Sequence, residues 1–193
     1  GLRSWGSIST SLFSQTHNRE DRMVKPNSTS AVTGETYVIP SDDDKDGLSN
    51  FIEINRRKQV VAIQGLGFVG TVMSLVVANS DNADYAVVGV DRATEDSYWK
   101  IAEINAGICP IVSSDPLVSE FFERSKREQN FYATYDPSAF SFADIIIVDI
   151  NLDVTKVKDA SGNIESYDVP LVGFNKAIES IGQVCKEDVL ILV

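Results

Sequence analysis

Apolar residues along the chain recur in short, separated runs that predict alternating strands and helices. The runs typical of buried strands are QVVAI (59–63), YAVVGVD (85–91), FYATY (131–135), ADIIIVDI (143–150) and DVLILV (188–193). Segments of helical length and apolar content lie at residues 47–58, 68–79, 95–105, 115–129 and 168–184. Because strands that alternate with helices form a parallel sheet covered on both faces, the pattern predicts a doubly wound α/β domain.

The N-terminal part of the chain lacks this pattern. Residues 1–34 contain eleven Ser or Thr, and such a composition buries too little apolar surface to offset its ordering entropy. We therefore predict a flexible polar tail over residues 1–46 and a folded domain over residues 47–193. Residues 1–19 are Ser-rich and contain no acidic residue, so an organellar transit peptide remains an alternative.

Strands four and five are apolar on both faces, like interior strands, and the sequence ends at the fifth. We therefore expect a sheet truncated after the fifth strand.

Charge excludes some partners. The formal net charge is −11, and all of it falls on residues 60–193, which argues against nucleic-acid binding. No apolar run approaches the roughly 18 residues of a membrane-spanning helix, so we expect no membrane span. Two cysteines are too few for a disulfide scaffold or a structural zinc site, which favours a reducing, cytoplasmic location.

A glycine-rich turn connects the first strand to the first helix. Gly65, Gly67 and Gly70 match G-x-G-x-x-G, and Asp91 ends the second strand, as in Rossmann-type dinucleotide-binding domains. We expect Gly65 to permit the tight turn, Gly67 to let the backbone approach a pyrophosphate, and Gly70 to let helix and strand pack. The N–H groups around Phe68 and Val69 would then face the phosphates.

The cofactor preference depends on Asp91. A carboxylate at this position accepts ribose hydroxyls and repels a 2′-phosphate, which favours NAD over NADP. The neighbouring Arg92 could instead accommodate a 2′-phosphate. A Rossmann-like layer without a bound dinucleotide also remains open, since a fold alone does not fix function.

Three segments resemble the nucleotide-sugar 6-dehydrogenases, which act on UDP-glucose, UDP-N-acetylhexosamine or GDP-mannose. They are VVAIQGLGFVG (60–70), VVGVD (87–91) and IAEINAGICPI (101–111). The family signature I-N-x-G-x-x-P-I is matched by Ile104, Asn105, Gly107, Pro110 and Ile111. The resemblance covers about residues 58–193, which would be only the N-terminal, NAD-binding part of such an enzyme. In place of the V-x-T-P turn of many members, this chain has VDINLD (148–153).

The resemblance implies oxidation of a sugar C6 hydroxyl to a carboxylate with two NAD, through a cysteine thiohemiacetal. It places the catalytic cysteine, lysine and asparagine in a later domain, so we expect no catalytic residue in this chain and no turnover by it alone. It also implies a UDP- or GDP-sugar substrate, a homo-oligomer at full length, and an acidic sugar product for surface polysaccharide.

Other candidate sites are weaker. Cys109 and Cys185 have no base nearby in sequence and His17 lies in the predicted tail, so small buried hydrophobes are the favoured interpretation of the thiols. Residues 42–53 fit the calcium-loop pattern D-x-[DN]-x-[DN]-G-x5-E. No incoming helix precedes them, so an acidic helix N-terminus is the competing interpretation, and we predict no metal site.

Two other functions remain open. One is another Rossmann dehydrogenase, such as a β-hydroxyacid type, with the N-x-G-x-x-P match accidental. The other is a non-catalytic module, complete at 193 residues, that binds NAD or mediates calcium-linked interactions.

Overall fold

A parallel sheet forms the centre of the fold. The computed structural model describes residues 25–152 and 154–193. Its strands are β1 (Asn27–Thr29), β2 (Thr36–Val38), β3 (Gln59–Gln64), β4 (Tyr85–Val90), β5 (Phe131–Thr134), β6 (Ile145–Val148), β7 (Thr155–Lys158), β8 (Ile164–Asp168) and β9 (Leu190–Leu192). Its helices are α1 (Lys45–Ile54), α2 (Phe68–Ala78), α3 (Tyr98–Ala106), α4 (Pro116–Glu128) and α5 (Val172–Val184), with a 3₁₀ turn at Pro137–Ser141.

The sheet has the strand order of a Rossmann domain. Within the described residues, five strands lie in the order β5-β4-β3-β6-β9, and every neighbouring pair is parallel. The prediction of a doubly wound parallel α/β fold is therefore confirmed. The order reverses between β3 and β6, and ligands of such sheets bind beyond the carboxyl ends of the strands at that point.

Apolar side chains fill both faces of the sheet. One face is covered by α2, α3 and α4, with Leu66, Leu75 and Ile101 among its buried residues. The other is covered by α1, α5 and the 3₁₀ turn, where Phe140 and Ile146 are buried. The packing fixes the carboxyl ends of β3 and β4, where the predicted site lies.

Residues 25–46 differ from the predicted flexible tail. β1 and β2 pair as an antiparallel hairpin, which we call the N-terminal hairpin (residues 25–39), and α1 begins at Lys45. The hairpin buries Ser28 and Ser30, small polar residues whose hydroxyls are hydrogen-bonded. Because buried serines leave no apolar pattern in the sequence, periodicity could not reveal this hairpin. Residues 1–24, including His17 and the possible transit peptide, lie outside the described residues.

Three further features differ from the expectation. β7 and β8 form an unpredicted antiparallel hairpin between β6 and α5. Helix α5 begins at Val172 rather than at residue 168, because Pro170 disfavours helical backbone at the residue before it. β9 lies at an edge of the described sheet with exposed side chains, rather than in the interior.

Among the described residues, no helix is both long enough and apolar enough to cross a membrane.

Candidate dinucleotide site

The turn between β3 and α2 requires glycine at two positions for different reasons. Gly65 has a φ of +102°, a conformation that L side chains rarely adopt. A Cβ at Gly65 would also overlap the backbone carbonyl oxygen of Asp149, and a Cβ at Gly70 would overlap the carbonyl oxygen of Gly65. These two glycines therefore let the turn, the first turn of α2 and the end of β6 approach closely.

Gly67 occupies a different environment. A Cβ added there would meet no described atom within 4 Å, and its backbone is extended, with φ −67° and ψ −170°. It is the N-cap residue of α2, and no described side chain caps that helix end. The next residues, Phe68 and Val69, are 58% and 56% exposed. The turn thus presents N–H groups of a helix N-terminus to open space, a suitable arrangement for phosphate.

Asp91 connects the glycine turn to α3. Its Oδ2 accepts hydrogen bonds from the Leu66 N–H (3.1 Å) and from Lys100 Nζ (3.0 Å). Its Oδ1 accepts the Arg92 N–H at 2.8 Å. A carboxylate has about four acceptor positions, so these three contacts from described residues leave about one position for a ligand hydroxyl. The side chain is 11% exposed.

Sequence reasoning missed Lys100. It lies nine residues after Asp91, and only the return of α3 over the end of β4 brings the two side chains together. Its side chain is 17% exposed. At this burial an ion pair is screened less than at the surface, so Lys100 holds the carboxylate in a defined orientation.

The N-x-G-x-x-P segment is structural in this chain. The Asn105 amide donates to the Ala133 carbonyl (2.8 Å) and accepts from the Ala133 N–H (3.0 Å). It therefore pairs with the outer edge of β5 as a neighbouring strand would. Gly107 ends α3 with a φ of +76°, which favours glycine. The segment fixes the end of α3 against the sheet.

The turn after β6 brings Asp149 beside the glycines. Its N–H donates to the Gln64 carbonyl at 2.8 Å, and a Cβ at Gly70 would lie 3.0 Å from its Oδ2. Its carboxylate thus lies near the N-terminus of α2, where the helix dipole favours negative charge. Asp153 belongs to the same segment, VDINLD (148–153), which stands in place of the V-x-T-P turn, and it is outside the described residues.

The two cysteines are free thiols. Burial raises the pKa of the Cys109 thiol, and its Sγ lies 3.6 Å from the Ile111 carbonyl oxygen, which accepts its weak hydrogen bond. A raised thiol pKa lowers the thiolate fraction that nucleophilic attack requires. Both cysteines are half-buried and unpaired.

Two carboxylates of the acidic segment at residues 42–53 have partners within the protein. Asp44 accepts hydrogen bonds from the Tyr132 and Thr134 hydroxyls, and Glu53 pairs with Arg56. Asp42 and Asp44 precede α1, whereas Asp46 lies in its first turn and Glu53 near its end, so the carboxylates are not grouped around one point. No group of three His, Cys, Asp or Glu within the described part of the chain could hold a metal ion.

Comparison with known structures identifies similar folds. The NDP-N-acetyl-D-galactosaminuronic acid dehydrogenase of Methanosarcina mazei Go1 is 21% identical with a TM-score of 0.59; the match covers 75% of this chain and 29% of that one. The UDP-D-ManNAc dehydrogenase of Pyrococcus horikoshii is 20% identical with a TM-score of 0.52, with 69% and 27% covered. This chain thus spans less than a third of either. No curated protein matches it.

A family model describes most of the chain. Residues 59–193 match the NAD binding domain of the UDP-glucose/GDP-mannose dehydrogenase family. The match begins at β3 and includes the glycine turn, Asp91 and Lys100. The chain therefore belongs to the UDP-glucose/GDP-mannose dehydrogenase family and carries its NAD-binding domain.

Proposed function

We propose that this chain is the cofactor-binding portion of an enzyme that oxidises the C6 hydroxyl of a UDP- or GDP-sugar to a carboxylate with two NAD. The family supports the reaction class, and the glycine turn with open space at Gly67 is the observation that carries the role of this chain. The substrate, a cytoplasmic location, homo-oligomeric assembly and a product used in surface polysaccharide are parts of the same proposal.

The residues of the turn suit a pyrophosphate. The open space at Gly67 allows a ligand to approach the backbone, and the uncapped N-terminus of α2 supplies N–H donors and a favourable dipole. Because the domain is acidic, these groups, and not a basic patch, would neutralise the phosphates. NAD, when bound, supplies the hydride acceptor for alcohol oxidation; the residues named here bind and orient it.

Asp91 would hold the adenosine ribose. About one acceptor position is left beside its three hydrogen bonds, so we propose that it accepts one ribose hydroxyl at Oδ1. A 2′-phosphate there would face a carboxylate with little room, which favours NAD over NADP. We assign the cofactor contacts to Gly65, Gly67, Phe68, Val69, Gly70 and Asp91, and no catalytic residue to this chain.

Calorimetric titration with NAD and NADP tests this assignment. The parent chain should bind NAD, and NADP at least tenfold more weakly. Asp91→Asn removes the charge at nearly constant shape and should weaken NAD binding about tenfold or more, since hydrogen bonds to charged groups are worth about 1.5–3 kcal/mol. Asp84→Asn, which alters an exposed carboxylate paired with Lys58, is the matched control and should bind like the parent.

Two outcomes would contradict the proposal. Absence of NAD binding by the folded parent would remove the cofactor role. Equal affinities for NAD and NADP would remove the role of Asp91. The reaction class is tested separately in the full-length protein, where NADH should form with a UDP- or GDP-sugar and not with a β-hydroxyacid.

A further inference from the structure

We propose that Ser28, on the N-terminal hairpin, is a positioning residue for the ribose end of the cofactor site. Its side chain caps the N-terminus of α3, although Ser28 is distant from that helix in sequence, and the cap holds Lys100 against Asp91. The hairpin lies outside the family match, which begins at residue 59. This inference rests on the proposed function, because it concerns the same NAD site.

Ser28 makes the hydrogen bonds of an N-cap residue without belonging to the helix. Its Oγ accepts the Trp99 N–H at 3.0 Å and donates to the Glu95 carbonyl at 2.6 Å. Trp99 is the second residue of α3, and the N–H at this position is one that N-cap side chains normally satisfy. Ser28 is fully buried, so within the native fold water does not compete for these bonds.

The residue that precedes α3 leaves this role open. Ser97 is the local N-cap residue, and no described capping bond comes from its side chain. The other N–H groups at the start of α3 find carbonyl partners: Tyr98 bonds to Thr94 and Lys100 to Ser97. The Trp99 N–H is thus satisfied by the hairpin, and an uncapped buried donor would be costly.

A second contact fixes the hairpin farther along the same helix. The Thr33 hydroxyl donates to Glu103 Oε1 at 2.7 Å, and Glu103 is fully buried. Ser30 accepts the N–H groups of Val32 and Thr33 and so shapes the turn that carries Thr33. The hairpin therefore contacts α3 at residues 99 and 103, which flank residue 100 in the sequence.

Lys100 transmits this contact to the site. It immediately follows Trp99, and its Nζ lies 3.0 Å from Asp91 Oδ2. If the first turn of α3 frays, the lysine loses its fixed position. The Asp91 carboxylate then loses one of the two donors that orient Oδ2, the other being the Leu66 N–H. Oδ1, the oxygen proposed to accept the ribose hydroxyl, is then oriented by two backbone N–H groups alone, those of Leu66 and Arg92, and is less firmly held.

A double-mutant cycle on NAD affinity tests the inference. Ser28→Ala should weaken NAD binding about three- to tenfold, as expected from loss of one N-cap hydrogen bond. Thr29→Ala is the matched control, since Thr29 is the exposed neighbour bonded to Thr36 across the hairpin, and it should bind like the parent. In a Lys100→Met background, Ser28→Ala should have little further effect, because both changes act through one interaction.

A readout independent of NAD accompanies the cycle. Hydrogen exchange of the Trp99 amide should accelerate about tenfold in Ser28→Ala and stay unchanged in Thr29→Ala, while urea midpoints verify that each variant folds. Full affinity of Ser28→Ala for NAD, or a loss that adds fully to that of Lys100→Met, would overturn the positioning role. If the parent does not bind NAD, the proposed function fails. Unchanged exchange of the Trp99 amide in Ser28→Ala would refute the cap, whether or not the parent binds NAD.

Discussion

Alanine substitutions at Gly65 and Gly67 should separate the structural part of the turn from its binding part. At Gly65, the left-handed backbone costs about 1–3 kcal/mol for a residue with a Cβ. The overlap with the Asp149 carbonyl adds about 1–3 kcal/mol. The sum, about 2–6 kcal/mol, is a large share of the 5–15 kcal/mol that typically stabilises a domain. At Gly67, where a Cβ meets open space, the stability change should stay within about 1 kcal/mol.

Urea denaturation with and without NAD measures both effects. With a slope of about 2 kcal/mol per molar urea, Gly65→Ala should lower the midpoint by roughly 1–3 M. At a hundredfold excess over its Kd, NAD should stabilise the parent by about 2.7 kcal/mol, and Gly67→Ala by about 1.4 kcal/mol or less if binding weakens at least tenfold. Gly173→Ala, also in open space but on α5, controls for glycine replacement as such. A Gly65→Ala chain as stable as the parent, or a Gly67→Ala chain that NAD stabilises fully, would refute this division of roles.

Three further predictions concern the framework of the domain. Asn105→Ala should destabilise the fold by about 1–3 kcal/mol, because it exposes the Ala133 edge of β5, and should speed exchange of the Ala133 amide; unchanged exchange would contradict the edge pairing. Partial burial opposes ionisation of Asp144, but the hydrogen bonds from Lys186 and from the Val60 N–H, together with the charge of Lys186, outweigh it and lower its pKa. Because the folded pKa lies below the unfolded value of about 3.9, this stabilisation is present above that pH and is lost as the pH falls through the folded pKa. The acid unfolding curve of Asp144→Asn should lack this component, and an identical curve would disprove it. Because burial raises its pKa, the Cys109 thiol should be alkylated at neutral pH more slowly than the thiol of glutathione. An equal rate would contradict its burial.

The sheet and the glycine turn were predictable because both leave strong local signals. β3 and β4 are apolar on both faces, as a buried parallel strand must be because helices cover both sides of the sheet. Gly65 and Gly70 sit where a Cβ would overlap backbone, so sequence spacing alone indicates them. Helix ends are less well defined by periodicity; α5 begins at Val172 and not at residue 168 because Pro170 disfavours helical backbone at the residue before it.

Features that depend on distant partners could not be predicted in this way. Ser28 and Lys100 are ordinary residues in an unremarkable local sequence, and their importance comes from contacts with α3 and Asp91. The acidic segment near Asp44 matched a calcium motif, but its carboxylate is engaged by hydroxyls of β5. A motif fixes residue types and spacing, whereas the tertiary fold decides which partner each side chain reaches.

The placement of α1 on the sheet has a consequence for the order of folding. Asp44 bonds to the hydroxyl of Tyr132, 88 residues later in the chain, and Phe51 stacks on the same ring at 5.4 Å. At a synthesis rate of about 5–20 residues per second, α1 leaves the ribosome about 4–18 s before its partner strand is made. During that interval the apolar face of α1, with Leu48 and Phe51, lacks its partner on β5. The first helix of the described residues therefore completes its packing only after three later helices, α2, α3 and α4, have been synthesised.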